Sequence, residues 1–365
     1  MKVFEITDYL EKLAPLAYQE DYDNSGLIIG HPDDEVLGIL VSLDCTEKVI
    51  EEAIAKNCNL IISHHPIVFK GLKKINGNNY IERTVLKAIK NNIALYACHT
   101  NLDHVKNGVN FKIAEVLNLQ QVKVLVPKKG LLKKITFFVP TQNAEKVSQA
   151  LHKAGAGNIG EYQECSFETE GQGFFTPSKN ANPTIGNILE KTKVTEKRIE
   201  MIFPSFLESN ITKALHQNHP YQEVAYYVNE LTNKHQEIGA GVIGELENET
   251  NTSDFLAFLK EKMSLKCIRH TDILKEKIKK IAVCGGSGSF LLKDAIAQDA
   301  DIFITADYKY HDFFDAENKI TICDIGHYES EVFTKDLIVK YLSEKFSNFA
   351  ILGSSTNTNP VNYYI

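Results

Sequence analysis

The stretch "NLIISHHP" (59–66) carries the fold in miniature. An unbroken apolar run of this kind belongs to a strand buried on both faces. Such strands occur in parallel sheets covered by helices. The run ends abruptly on His64 and His65 and is stopped by Pro66, which cannot continue a central strand. Two adjacent histidines on a regular strand would point to opposite faces. On the turn just past the strand they can instead diverge toward two neighbouring ions.

Working outward, the same pattern repeats. "VLGILVSLD" (36–44) precedes the helical "TEKVIEEAIAKN", with Thr46 as its N-cap. A helix around "YIERTVLKAIKNN", the strand "IALYACH" and a helix near "GVNFKIAEVLNL" follow. Toward the C-terminus come the strand "KKIAVCGG", the helix "SFLLKDAIAQDA" and the strand "ADIFITAD". After "YKYHDFFDAE", the strand "KITICDIGH" leads into one long helix, "YESEVFTKDLIVKYLSEKF". Strands alternating with helices predict an α/β domain with a largely parallel sheet. The N-terminus reads as a helix capped near Thr7 and stopped before Pro15.

The middle differs. Residues 131–236 run strand, helix, two strands, helix, strand, the order of a ferredoxin-like α+β domain. It is bounded by the turn-like "PKKG" and "TNKHQ". The expected organisation is a discontinuous α/β domain, 1–130 and 237–365, with 131–236 inserted.

Composition sets outer limits. The chain has 365 residues, 43% hydrophobic and 24% charged, an ordinary globular balance. Nothing approaches the ~18 uninterrupted apolar residues of a membrane span. The N-terminus lacks the features of a signal peptide, so a cytoplasmic location with no membrane role is expected. Seven cysteines, scattered and without a C-x-x-C pair, argue for reduced thiols and against a zinc–thiolate site. A net charge of −7 argues against a nucleic-acid binder, and clusters such as "PKKGLLKK" read as solvated surface.

In α/β sheets ligands bind beyond the carboxyl ends of strands. Those ends deliver Asp44; His64 and His65; His99 and Asp103; the "GGSGS" turn; Asp307 and His311; and His327 and Glu331. His327 and Glu331 are one helical turn apart and share a face. Histidines and carboxylates converging on one edge are the donor set of a divalent metal site. A lone histidine at a strand end is more often a satisfied polar group, so His99, His104 and His311 carry less weight singly. Asp44 reads equally as a helix cap, and "GGSGS" resembles a phosphate cradle. The ligand set is therefore His64, His65, Asp103, His327 and Glu331, with Glu331 able to bridge two ions.

The motifs "DYDNSGLIIG" (21–30), "SHHP" (63–66), "HTNLD" (99–103), "CGGSGS" (284–289) and "GHYESE" (326–331) together resemble one family. It is the GTP cyclohydrolase I type 2 homologue family, also called the Ngg-interacting-factor-three-like proteins. The resemblance implies two divalent cations per chain. His64, Asp103 and Glu331 would hold one, and His65, His327 and Glu331 the other. Mixed ligation of this kind suits zinc, iron, manganese or cobalt. The middle segment is similar to the PII-like insertion of longer bacterial members. That implies a homohexameric ring with the insertion as a lid. Tyr22 stands where the family usually has tryptophan.

Two functions follow as expectations. One is a metal-dependent hydrolase acting on a nucleotide or related phosphorylated compound, with His99 or His311 moving protons. The other is a non-catalytic metal-dependent regulator or scaffold whose PII-like insertion senses a small ligand. Nucleic acid bound within the ring is a third reading, disfavoured by the acidic charge.

Overall fold

The structure is a computed structural model that describes residues 1–364. The chain divides into two compact units: Met1–Val126 with the segment from Glu237 onward, and Pro127–Gln236.

In the first unit, the strands Ile39–Ser42, Leu60–Ser63 and Ala94–Ala97 lie parallel, and every residue in them is buried. Gly26–Ile29 adds an antiparallel edge, and Ile351–Gly353 joins the other edge in parallel. The helices Glu47–Ala55 and Tyr80–Lys90 start where side chains accept the orphan amides, Thr46 from Val49 and Asn79 from Glu82. Their apolar faces (Val49, Ile50, Ala53, Val85 and Ala88) close over Leu40, Ile61 and Leu95 of the sheet.

A second sheet follows in the same unit. Its parallel centre is Lys277–Ser287, Ile302–Ala306 and Thr321–Asp324. Arg269–His270 flanks it antiparallel on one side and Gly239–Asn251 on the other, with Gln120–Pro127 at the far edge. The α/β class holds, but the strands expected in one sheet form two. Each half of the chain lends an edge strand to the other half's sheet: Gln120–Pro127 crosses one way and Ile351–Gly353 the other.

Three local expectations change. The first helix begins at Val3, not near Thr7, because the Glu5 carboxylate accepts the Lys2 amide and closes the first turn. The long C-terminal helix is two, His327–Glu331 and Thr334–Lys345. The short one turns buried Glu331 and Ser330 toward the second sheet, where Ser330 Oγ accepts the Gly286 amide. The long strand "GAGVIGELENETN" and the helix Thr252–Lys262 after it had no sequence assignment.

The second unit is a four-stranded antiparallel sheet. Its spatial order is Phe167–Phe175, Thr192–Pro204, Leu132–Pro140, Tyr226–Glu230. With the helices Ala144–Lys153 and Glu208–Asn218 this is the ferredoxin-like arrangement. Alternate residues Ile135, Phe137, Val139 and Ile199, Met201, Phe203 face Val147, Leu151, Ile211 and Leu215 in a core of their own. The entering and leaving segments run side by side: the His235 amide donates to Lys128 O at 2.8 Å. Joining residue 130 to 237 through a short glycine linker is therefore expected to leave a soluble, metal-binding core. An insoluble product unable to hold metal would mean that the two units depend on each other for folding.

Candidate metal centre

The first sheet places His64 and His65. Their amides still pair with Ser42 O and Leu43 O, while Ser63 Oγ donates to His65 O and turns the chain. His64 is fully buried, and its Nδ1 is hydrogen-bonded to Cys98 O at 2.8 Å. That leaves Nε2 facing inward. It has no hydrogen-bond partner, and neither does buried Asp103 Oδ1, 3.7 Å away. Glu331 Oε1 lies 3.8 Å from the same Nε2. These gaps are too long for hydrogen bonds. They are close to the separation of about 3.4 Å between two donors that each sit ~2.1 Å from one tetrahedral ion. Buried polar atoms left unpaired are costly, and a cation between them removes that cost. The residues fit a metal.

Glu331 turns its other oxygen to a second group. Oε2 is 2.9 Å from His65 Nε2 and 3.0 Å from His327 Nε2, and the two nitrogens are 3.3 Å apart. Each ring is held from behind, His65 Nδ1 by Asp44 and His327 Nδ1 by Asp307, both at 2.7 Å. A carboxylate behind a ligating imidazole fixes its orientation and raises its basicity. Asp307 performs this role from a left-handed backbone conformation, φ +59°, which aspartate tolerates better than most residues.

His99 lines the same cavity of about 1090 Å³ and forms a ligand-like group with His64 and His65. Its Nδ1 is fixed by Asp23 Oδ1 at 2.7 Å. Asp23 also accepts from the Thr100 amide and hydroxyl. Burial opposes ionisation of Asp23, but these bonds hold its carboxyl well below the usual range.

The remaining expectations resolve individually. His104 is a satisfied core histidine, bonded to Tyr18 O and paired with Glu20. Asp44 lines the site, and the cap beside it is Thr46. His311 is exposed, packs on Tyr310 and Phe314, and is absent from the residues lining the cavity. "GGSGS" is not a free phosphate cradle. The Gly285 amide is taken by Asn110 Oδ1 and the Gly286 amide by Ser330 Oγ, both at 2.9 Å. Gly286 serves another purpose. Its φ is +60°, and a Cβ there would overlap Glu331 Oε1.

The C-terminal "SSTNTNP" (354–360) had no sequence assignment, yet it borders the site. Ser354, Ser355 and Thr356 all donate to Glu52. Beyond this tether, the Thr358 hydroxyl donates to Asp44 Oδ2 at 2.5 Å, backing the Asp44–His65 pair. Only the density of side-chain donors in that stretch could have signalled it.

Charge in the metal-free site follows from this geometry. Burial works against protonation of His65 and His327. Hydrogen bonds to Asp44 and Glu331 nonetheless raise His65 to about 9, and those to Asp307 and Glu331 raise His327 to about 11. Burial likewise opposes a charged Glu331, but the surrounding imidazoles hold its carboxyl well below the usual range. Asp103 is the exception, pushed up by burial. Both histidines are thus protonated at neutral pH, above their ordinary value of about 6.5. A raised pKa stabilises the fold fully below that ordinary value, and the contribution is lost as pH climbs through the folded one. Chelator-treated protein is therefore expected to lose melting temperature from about pH 6.5 upward. Metal-loaded protein is expected to gain on it over the same range, because ligation needs neutral imidazoles. Parallel thermal melts across pH 6–9, with and without chelator, test this. Curves that keep a constant gap would refute it.

Two interlocked α/β sheets, an inserted ferredoxin-like unit and a histidine–carboxylate cluster able to hold metal define a class of protein rather than a reaction. The chain belongs to the Duf34/NIF3 (NGG1p interacting factor 3) family, whose model matches residues 1–360. It is similar to a Bacillus subtilis (strain 168) protein named "GTP cyclohydrolase 1 type 2 homolog", 37% identical with 98% of each chain covered. Among solved structures it resembles a Bacillus cereus protein related to NIF3 at a TM-score of 0.87 and 37% identity, covering 100% of this chain and 99% of that one. A Staphylococcus aureus protein follows at a TM-score of 0.80 and 32% identity, with coverage of 100% and 99%.

Proposed function

We propose that this chain holds two divalent cations and hydrolyses a nucleotide or related phosphorylated compound. The observation that carries this reading is the division of Glu331: Oε1 faces the orphaned His64 and Asp103, and Oε2 faces His65 and His327. His64, Asp103 and Glu331 would hold one ion, and His65, His327 and Glu331 the other. Zinc, iron, manganese and cobalt all suit these donors. Bound ions of this kind supply Lewis acidity and an ionised water near neutral pH.

The chain's own part is positioning and proton transfer. Asp44 and Asp307 set the His65 and His327 rings, and Asp23 sets His99, whose ring borders the cavity. His99 would hand a proton to the leaving oxygen as water adds to the phosphoryl centre and the bond to that oxygen breaks. The same role for His311 requires the short helix Tyr310–Ala316 to turn its ring inward. An unchanged rate in His311→Ala removes it from the mechanism.

The protein is proposed to act in the cytoplasm as a homohexameric ring, which light scattering would report as six chain masses. No described helix is long and apolar enough to cross a membrane. The decisive test is a turnover screen of metal-loaded protein against nucleotides and phosphoesters, with His65→Ala as control. His99→Ala is expected to lower turnover by roughly 10²-fold or more while keeping metal. Equal background rates in wild type and His65→Ala across the screen would replace the hydrolase with a metal-dependent regulator.

A further inference from the structure

Two aromatic rings at the cavity, Tyr22 and Phe69, stand exposed and stacked on each other. Tyr22 is 65% exposed and Phe69 41%, whereas Tyr96, Phe137 and Phe303 are fully buried. Scattered exposed aromatics are normal. These two are not scattered. Their planes are within 15° of parallel, with centroids 6.5 Å apart. Both line the same cavity as the ligand cluster.

The pair is held in place by the site itself. Asn24 Nδ2 donates to Val68 O at 2.6 Å, tying the segment that carries Tyr22 to the one that carries Phe69. The next residue back, Asp23, is the group that fixes His99. Phe69 in turn meets the His99 ring edge-on at 5.4 Å, and His99 lies 5.2 Å from His64 and 5.4 Å from His65. A continuous ring-to-ring path therefore runs from the exposed aromatics to the ligand histidines.

We infer that Tyr22 and Phe69 form a stacking platform for the planar base of a nucleobase-bearing substrate, whose phosphorylated end reaches the ligand cluster. Every base has a π-face, so stacking on such a platform tolerates base identity while discriminating against compounds without an aromatic ring. The site then selects nucleotides over simple sugar phosphates. This rests on the nucleotide reading of the same site.

The test uses binding, so that it fails separately from catalysis. Metal-loaded full-length protein is titrated calorimetrically with GMP, AMP and ribose 5-phosphate. Both nucleotides are expected to bind about tenfold or more tighter than ribose 5-phosphate. Tyr22→Ala and Phe69→Ala should each remove most of that advantage, and Tyr22→Trp should keep it. Metal content and assembly mass should stay at wild-type values in all three. Equal affinity for nucleotides and ribose 5-phosphate in wild type overturns the platform, as does no binding of either. So does an alanine variant that changes assembly mass but not nucleotide affinity, which would make this face a contact between copies. Nucleotide binding without turnover would retain the platform and discard the hydrolase.

Discussion

Replacing Glu331 by glutamine is expected to drop bound metal from near two ions per chain to well below one, without unfolding the protein. The substitution keeps shape and removes only charge and one acceptor oxygen. Glu331 is 3% exposed, and its two oxygens face different partners: His64 at 3.8 Å, and His65 and His327 at 2.9 and 3.0 Å. An amide can present one oxygen to one side, and its NH₂ repels a cation on the other. Losses from groups that merely support a ligand are typically 10–100-fold in affinity, and a shared ligand should exceed that for both ions. Elemental analysis of protein purified without chelator reads the result directly. Full occupancy of both ions in the variant would end the bridging role.

The parts of this site that could be read from the chain are those with a local signature. His64 and His65 stand out because an apolar strand cannot explain two imidazoles at its end. His327 and Glu331 stand out because a spacing of four puts them on one helical face. Asp103 follows from its place after a buried strand. The supporting groups have no such pattern. Asp23 holds His99 across 76 residues, and Thr358 reaches Asp44 across 314. Contacts at that separation exist only once the first sheet has brought its strands together, since Gly26–Ile29 pairs with Ala94–Ala97 and Ile351–Gly353 with Ile39–Ser42. The same limit hid the second sheet. Strand identity is a local property, whereas the crossing of Gln120–Pro127 and the three-residue Ile351–Gly353 into opposite sheets is decided by packing. The glycine pair of "CGGSGS" was legible as a glycine-rich turn resembling a phosphate cradle, but its purpose depended on Glu331 lying against it.

That purpose gives the sharpest remaining prediction. Gly286→Ala is expected to lower metal content to about one ion per chain rather than strip the site. Alanine at φ +60° costs on the order of 1–2 kcal/mol from backbone strain alone. Its Cβ also overlaps Glu331 Oε1, the oxygen that faces His64 and Asp103. The same Cβ lies 3.3 Å from His327 Cε1, a contact that a small ring shift relieves. Oε2 should therefore keep its contacts with His65 and His327, and the ion on that side should survive. Gly285→Ala is the control. There an added Cβ meets Ile113, Val109 and the Glu331 Cγ at 3.1, 3.3 and 3.4 Å, contacts that small side-chain shifts can relieve. It should hold close to the wild-type amount. Elemental analysis of the two variants beside Glu331→Gln therefore gives three distinct levels if the two oxygens serve two ions. Should Gly286→Ala retain both ions, or lose both as completely as Glu331→Gln, the assignment of Oε1 to the His64–Asp103 side is wrong.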